Sequence, residues 1–314
     1  MPELITIGET MAVMAPRESG PLRYVSDYRL RMAGAESNLA IGMAKLGHSA
    51  GWISRLGNDE MGEFVLNAVR AEGVDCSCVR RDPDHRTGLM LKELSAGETR
   101  VYYYRENSAA SHLSPADLSE AAFRSAKLLH LTGITPVLSD SCEKTVLAAA
   151  ELARRLGVPM SFDPNIRRKL WKNRDYTPLL RALLLSSQIA LLGIDEAEAL
   201  LGTSSVEVIV TTLLRAGVVY AAVKDGAKGA YVANRERIVR IPPFPCKVVD
   251  PVGAGDAFNA GFLSGILEGR DLETCGRMGG IAGAMATQNT GDIEGIPSRA
   301  QLDEKLAGSK EIYR

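Results

Sequence analysis

The chain has almost no net charge and no long hydrophobic run. Its 37 Lys and Arg residues nearly balance 38 Asp and Glu residues, which leaves a formal charge of -1. Such a chain has no sequence-wide basic field, so neither nucleic acid nor an anionic membrane is an expected partner. An anionic ligand must therefore be bound by a local group of donors.

Cysteines are few, and they lack the paired CxxC spacing of a zinc site. Their odd number is also untypical of a disulfide framework. The N-terminal "MPELITIGETMAVMAPR" has no basic lead and no apolar stretch long enough for a signal peptide, and no later run reaches the roughly 20 residues of a membrane span. These absences predict a reduced, cytoplasmic protein. The five cysteines are Cys76, Cys78, Cys142, Cys246 and Cys275.

Short apolar runs alternate with helical stretches along most of the chain. With 46% hydrophobic residues and 30 glycines among 314 residues, the chain can bury a sizeable core joined by many short connections. "ELITIG" is typical of a buried strand, and "AESNLAIGMAKL", at residues 35–46, of a helix. Their repeated alternation predicts an α/β fold with a mostly parallel sheet covered by helices on both faces.

Residues 11–30 and 86–105 break this rhythm. Both segments alternate apolar with polar residues and contain no predicted helix. They predict a small, discontinuous β lid over a ligand held at the carboxyl ends of the parallel strands. The core is then residues 1–10, 31–85 and 106–314. Because a raised sheet has edges and an apolar face that need covering, we expect a homo-oligomer formed through the lid.

The stretch "DPVGAGDAF", at residues 250–258, combines glycines with an acid at the head of a helix. A strand is predicted to end near Val249, and a helix to run from about Ala254 to Gly269. The first amides of a helix have no internal partner and favour anions. Asp256 in that first turn has two interpretations. It either caps the helix, or it takes a proton from a hydroxyl that attacks a phosphoryl group held there.

The longer string "DPVGAGDAFNAGF" closely resembles the C-terminal signature of the ribokinase-like, or PfkB, carbohydrate kinases. "GAESNLAIGMAKLG", at residues 34–47, resembles their N-terminal signature, and the resemblance extends from "ITIGE" to "GDIEGIP". It implies a ribokinase-like three-layer α/β/α core with a small β lid and an ATP-dependent sugar kinase. No Walker P-loop is needed for this activity. By the resemblance, Asp256 is the catalytic base, and the backbone of Gly253, Ala254 and Gly255 is the anion hole.

The same resemblance implies positions for ATP and metal. "KDGAKG", at residues 224–229, is similar to the family's strand-end loop under ATP, although a solvated turn is an equal alternative for Lys224 and Lys228. "GIDEAE" lies where the family usually carries Asn-x-x-Glu, but Gly193 replaces the asparagine. Mg²⁺ is expected because ATP is handled as its magnesium complex, and K⁺ is a further possibility at Asp250 and the loop around Gly291. The implied nucleotide-binding residues are Gly193, Asp195, Lys224, Gly226, Ala227, Lys228, Gly229, Gly253, Gly255 and Asn289, and the implied metal-binding residues are Glu196 and Asp250.

One departure from the family pattern concerns the substrate. Neutral-sugar members typically carry an aspartate five residues after the glycine of the first strand, but here Val13 lies at that distance from Gly8. Arginines are predicted instead at the end of a lid strand, Arg105, and just beyond a core strand, Arg167. The loss of an acid and the gain of planar cations favour a substrate with a carboxylate.

"YYYRENSAAS" and "LTGITPVLS" resemble the 2-keto-3-deoxygluconate kinases, which phosphorylate a sugar acid. Strand alternation puts Tyr102 and Tyr104 on one face and Tyr103 on the other, and we expect the even pair to face the ligand. A neutral-sugar kinase of the fructokinase or ribokinase type, and a non-catalytic nucleotide- or sugar-binding regulator, are the alternatives. The implied substrate-binding residues are Gly34, Ala35, Asn38, Tyr102, Tyr104, Arg105, Arg167 and Asp256.

Overall fold

The computed structural model describes residues 2–95 and 98–308. Its strands are β1 (Leu4–Ile7), β2 (Met11–Pro16), β3 (Tyr28–Ala33), β4 (Ala50–Gly57), β5 (Val79–Asp82), β6 (Leu89–Ser95), β7 (Glu98–Tyr104), β8 (Leu128–Thr132), β9 (Met160–Asp163), β10 (Ile189–Gly193), β11 (Tyr220–Lys224), β12 (Ala230–Ala233) and β13 (Ile238–Ile241). Its helices are α1 (Ala35–Lys45), α2 (Glu60–Ala71), α3 (Glu120–Ser125), α4 (Asp140–Leu156), α5 (Thr177–Ser186), α6 (Ile194–Leu201), α7 (Val206–Ala216), α8 (Ala254–Leu267), α9 (Leu272–Ala286) and α10 (Arg299–Ala307).

Nine strands form the large sheet, in the order β13-β12-β11-β10-β9-β8-β1-β4-β5. The neighbouring strands from β11 to β5 run parallel, and β12 and β13 are antiparallel additions at one edge. Consecutive side chains enter two different cores: Leu4 packs in one and Ile5 in the other. A sheet buried on both faces needs helices on both sides, which confirms the predicted three-layer α/β/α fold.

Helix boundaries follow local chemistry. Helix α4 begins after Ser139, whose Oγ accepts the Cys142 amide at 3.1 Å, and it ends at Gly157, which has a φ of +71°. Serine is a preferred N-cap, and a left-handed glycine is a common helix stop. Helices α1 and α8 begin at the predicted residues and end one or two residues earlier than predicted.

The predicted strand ending near Val249 is absent from the described chain. The last strand ends at Ile241, and residues 242–253 form an irregular segment. Prolines at 242, 243 and 245 remove the amide donors that a strand needs. The amides of Val249 and Asp250 instead donate to the Thr287 carbonyl, at 2.8 and 3.0 Å, and this fixes the approach to α8.

The four remaining strands form the small sheet, in the order β3-β2-β6-β7. Strand β2 pairs with β3 antiparallel and with β6 parallel, and β6 pairs with β7 antiparallel. These strands lie in the two segments predicted for the lid, although β3 continues to Ala33, three residues past the predicted boundary. We refer to these four strands as the lid.

Among the described residues, no single helix is long and apolar enough to cross a membrane. Helices α6 and α7 are long and apolar enough for a membrane span only when their lengths are combined, and they are bent by 61° relative to each other.

Candidate active site

A cavity of about 860 Å³ lies between the lid and the carboxyl ends of the parallel strands. The lid, α1, the start of α8 and the segment after β9 all contribute to its walls. Seven of the eight predicted substrate-binding residues line it, so segments that are far apart in sequence meet here. They are Gly34, Ala35, Asn38, Tyr102, Arg105, Arg167 and Asp256.

Helix α8 begins in this cavity with an exposed backbone. Gly253 precedes its first turn with a φ of +77°, and a Cβ at this position would lie 2.3 Å from the Asp292 carbonyl oxygen. Only glycine fits both constraints. No side chain of the described chain caps this helix start. The Ala254 amide donates to the Pro251 carbonyl at 3.4 Å, but the amides of Gly255 and Asp256 are available to an anion, and the helix dipole favours binding.

Asp256 does not cap α8. Its Oδ2 accepts a hydrogen bond of 2.8 Å from Asn38 Nδ2 instead. Burial raises the pKa of Asp256 to about 7. The Asn38 hydrogen bond opposes this rise, while the nearby carboxylates of Asp163 and Asp292 add to it. A carboxylate with a pKa near neutrality is suited to take a proton from an alcohol.

Behind the first turn of α8 lies a partly buried ammonium group. Lys224 Nζ donates to Asp163 Oδ2 at 2.8 Å and to Asn259 Oδ1 at 3.2 Å. It lies 3.8 Å from the position of a Cβ on Gly255. The solvated-turn alternative is therefore wrong for Lys224. It holds for Lys228, whose side chain is 80% exposed.

The two predicted arginines differ in their surroundings. The Arg105 side chain is 11% exposed and forms an ion pair with the buried carboxylate of Glu9, which also accepts from Ser108 Oγ. Glu9 thus compensates the charge of Arg105 without an acidic ligand. Arg167 is exposed, lines the cavity and makes no ion pair with a described residue; its Nη1 donates only to the Ile166 carbonyl, at 3.2 Å. Arg167 therefore has the less compensated charge.

The predicted orientation of the lid tyrosines is wrong for two of the three. Strand register pairs Tyr103 with Met90, which belongs to the apolar cluster on the inner side of the lid. Tyr103 accordingly lines the cavity, whereas Tyr104 is 63% exposed and does not. Tyr102 also reaches the cavity, and its hydroxyl lies 3.3 Å from Glu93 Oε2. Pairing with β6, which alternation alone does not reveal, fixes these faces.

The predicted nucleotide-binding residues lie on a more open surface beside the cavity. In the parallel pairing of β10 with β11, Gly193 at the end of β10 lies opposite Lys224 at the end of β11. Residues 226–228 form an exposed turn after β11, and Asp195 and Asn289 are also exposed. Gly229 has a φ of +98°, and a Cβ there would lie 2.2 Å from the Ile241 carbonyl oxygen, so packing alone requires this glycine.

The carboxylates proposed for metal binding are already occupied by backbone amides. Glu196 accepts from the amides of Gly193 and Ile166 at 2.8 and 2.9 Å, and burial raises its pKa. Asp250 accepts from Val252 at 3.1 Å and from Gly291 at 3.4 Å. The described residues contain no group of three or more His, Cys, Asp or Glu side chains that could hold a metal ion. The residues present therefore suit Mg²⁺ only as a companion of nucleotide phosphates, which supply most of its ligands.

Sequence reasoning missed several charged residues of the site. Asp292 is buried beside Asn38 and Gly253 and pairs with Lys92 from the lid. Glu9 is the partner of Arg105. A signal for Asp292 was present in "GDIEGIP", and Glu9 directly follows the glycine of the first strand. Nothing in the local sequence links either residue to its partner.

Comparison with known proteins confirms the family resemblance seen in the sequence. The pattern of the pfkB family carbohydrate kinases matches residues 1–299. The chain belongs to this family. Its membership confirms the predicted enzyme class, an ATP-dependent sugar kinase. The chain is 38% identical to the 2-dehydro-3-deoxygluconokinase of Bacillus subtilis, over 99% of this chain and 98% of that protein.

Solved structures support the same assignment. A PfkB protein from Polaromonas sp. JS666 is 37% identical, with a TM-score of 0.88 over 96% of this chain and 99% of that one. A putative ribokinase II from E. coli, in complex with ATP and Mg²⁺, has a TM-score of 0.92 at 24% identity, over 98% of this chain and 100% of that one. At this lower identity the likeness shows the fold alone.

Proposed function

We propose that the protein transfers the γ-phosphoryl group of ATP to the primary hydroxyl of a sugar acid, converting 2-keto-3-deoxygluconate to its 6-phosphate. One observation carries the proposal: Asp256, with a pKa raised to about 7, lies in the first turn of an uncapped helix that opens into the cavity. A base and an anion site at the same place are what transfer to an alcohol requires.

In this mechanism Asp256 accepts the proton of the attacking hydroxyl. The backbone amides of residues 253–256 stabilise the negative charge on the transferred group, and the α8 dipole adds to their effect. Lys224, held by Asp163 and Asn259 behind the first turn, contributes a positive charge to the same region. Asn38 orients the Asp256 carboxylate through its 2.8 Å hydrogen bond.

The choice of a sugar acid rests on charge and on relatives. Arg167 carries a positive charge that no described residue neutralises, and it lines the same cavity as Asp256. Gly34, Ala35, Tyr102 and Tyr103 complete the walls around the sugar. The B. subtilis relative is named for 2-dehydro-3-deoxygluconate, which is the same compound as 2-keto-3-deoxygluconate. Both arguments favour an acceptor with a carboxylate.

ATP is assigned to the open surface formed by residues 193–196 and 224–229, with Mg²⁺ bound through its phosphates. The solved E. coli relative contains ATP and Mg²⁺, and the fold is shared. When bound, Mg²⁺ would neutralise phosphate charge. The Glu196 carboxylate is close to this surface, but it is engaged by two backbone amides. We therefore assign it to fixing the loop.

A kinase for a neutral sugar is the second candidate. Because Glu9 already neutralises Arg105, a neutral acceptor would leave only the exposed Arg167 without a partner, and such a charge is well solvated. Binding of a neutral sugar would thus leave less uncompensated positive charge in the cavity than the sequence alone indicated.

Three further predictions accompany the proposal. The lid exposes Leu94 and Tyr104, and the connection between β2 and β3 exposes Tyr24; we propose self-association through this surface. A K⁺ site at Asp250 and a cytoplasmic location also stay predictions. Size-exclusion chromatography with light scattering, and activity with and without KCl, test the first two.

A phosphoryl-transfer assay tests the substrate. ADP release would be followed with Mg²⁺ and ATP for 2-keto-3-deoxygluconate, its C4 epimer, fructose, ribose and gluconate. We expect the highest kcat/KM for a 2-keto-3-deoxy sugar acid. A higher value for fructose or ribose than for every acid would replace the first candidate by the second. Absence of turnover with the whole panel, together with measurable ATP binding, would support the regulator.

A further inference from the structure

A buried ion pair joins the lid to the floor of the cavity. Lys92 lies on β6, and its Nζ is 3.2 Å from Asp292 Oδ1 in the loop after α9. Their side chains are only 10% and 9% exposed, and Lys92 also lines the cavity. Breaking a buried pair by removing one partner leaves an uncompensated charge and is costly. This pair therefore holds strand β6 of the lid to the Asp292 carboxylate.

This pair continues to the reacting end of the site. Asn38 Nδ2 lies 2.8 Å from Asp256 Oδ2 and 3.5 Å from Asp292 Oδ2, so the two carboxylates face one amide group. The Asp292 carbonyl also presses against Gly253 at the start of α8. A shift of Asp292 would thus move both the hydrogen-bond donor to Asp256 and the anion-binding turn.

We propose that Lys92 is a positioning residue for phosphoryl transfer: from the lid it fixes and neutralises Asp292, which lets Asn38 orient Asp256 and keeps that carboxylate ionisable. The inference rests on the proposed function, because it takes Asp256 as the base. It adds that the lid supplies an electrostatic part of the catalytic machinery in addition to covering the ligand.

The charged groups around Asp256 determine the direction in which its pKa shifts when Lys92 loses its charge. Asp163 and Asp292 face it as anions, Lys224 faces it as a cation, and Asn38 is its neutral donor. Lys92 offsets the charge of Asp292. Without that ammonium, the second carboxylate would oppose ionisation of Asp256 more strongly. A base with a higher pKa is protonated over more of the neutral range, so activity should fall first at low pH.

The test is the pH profile of kcat/KM for 2-keto-3-deoxygluconate with Mg²⁺ and ATP, from about pH 5 to about pH 9. Lys92→Gln keeps an N–H donor for Asp292 but removes the charge. We expect the midpoint of the acid limb in its pH profile to lie roughly 0.5 to 1 pH unit above that of the wild type. At pH values below this midpoint, kcat/KM should be roughly three- to tenfold lower than in the wild type. Lys92→Arg keeps the charge and should leave the limb near its wild-type position.

Arg31 offers a matched control. It lies on β3 of the lid and bonds to the same loop, through the Thr290 carbonyl and a 3.2 Å ion pair with Glu294, but it does not contact Asp292. Arg31→Gln removes a lid-to-loop contact of similar kind and should lower activity without moving the limb. An unmoved limb in Lys92→Gln, or an equal shift in Arg31→Gln, would overturn the proposal.

Two further variants distinguish a failure of the proposed role of Lys92 from a failure of the proposed function. If Lys92→Gln does not fold, the double variant Lys92→Met with Asp292→Asn removes both buried charges and should return the limb to its wild-type position; a limb displaced upward would contradict the charge argument. Asp256→Asn tests the base itself. Full turnover in Asp256→Asn would reject the proposed function, whereas loss of turnover there with an unmoved limb in Lys92→Gln would reject only the role of Lys92.

Discussion

The two sides of the cleft are built differently. On the side assigned to the substrate, Asn38 donates to half-buried Asp256 and to buried Asp292, which in turn pairs with buried Lys92. On the side assigned to the nucleotide, the turn at residues 226–228 is exposed, and a Cβ on Gly226 would meet no atom within 4 Å. The substrate side is therefore pre-organised by tertiary contacts, whereas the nucleotide side presents mainly backbone. Substitutions should accordingly have large and specific effects on the first side and small effects on the second.

The largest effect is expected for Asp256→Asn. The amide keeps the shape and can still hydrogen-bond to Asn38, but it cannot accept the proton of the substrate hydroxyl. We expect kcat to fall by about 10²- to 10⁴-fold with little change in the affinity for ATP. Steady-state kinetics and equilibrium nucleotide binding measure the two quantities. A variant with at least a tenth of the wild-type kcat would mean that Asp256 is not the base.

Gly253 and Gly226 both have a positive φ, and substitution of each by alanine allows a direct comparison of the two sides. Gly253→Ala would place a Cβ 2.3 Å from the Asp292 carbonyl oxygen, whereas Gly226→Ala, at a φ of +51°, would meet no atom within 4 Å. Both substitutions strain the backbone by roughly 1 kcal/mol, but only the first also displaces the anion-binding turn. We expect a loss in kcat of about 10²-fold for Gly253→Ala and less than about threefold for Gly226→Ala. Equal losses would remove the distinction between the two sides.

The two arginines sharpen the comparison further. Arg105→Met leaves the buried carboxylate of Glu9 without its partner, so we expect a stability loss of about 2–4 kcal/mol and a raised KM for the sugar acid. Arg167→Met removes an exposed charge and should leave stability unchanged within about 0.5 kcal/mol, while raising KM about tenfold. Urea unfolding and substrate saturation curves measure both. An unchanged KM in Arg167→Met would contradict its contact with the acid.

The smallest effect concerns stability and pH. Because the folded protein raises the pKa of Asp256 from 3.8 to about 7, ionisation opposes folding. The stability contribution of protonated Asp256 is fully present below its unfolded-state pKa of 3.8. This contribution falls as the pH rises toward about 7, and it stays lost above that pH. Asp256→Asn should therefore be more stable than the wild type by about 1–3 kcal/mol near pH 8, with the difference vanishing near pH 4. Thermal unfolding at the two pH values measures this; a difference independent of pH would exclude a charge effect.

The amino-acid sequence determined the class of fold and predicted where the proposed reacting groups lie. Alternating apolar runs and helical periods specify buried strands and covering helices, because burial of apolar surface depends on pattern more than on detail. Gly253 and Asp256 were identifiable because the helix start is local: a positive φ, free amides and an acid occur within four consecutive residues. The helix boundaries of α1 and α8 were recognised for the same reason.

Only the tertiary structure decided which charges meet. The pairs Lys92 with Asp292 and Arg105 with Glu9 join positions 200 and 96 residues apart, and no local pattern encodes such a contact. Strand register, set by pairing between β6 and β7, turned Tyr103 toward the cavity and Tyr104 away from it. Burial then raised the pKa of Asp256, because desolvation depends on everything packed around a group. The sequence thus supplied the residues proposed to react, and folding supplied their electrostatic environment.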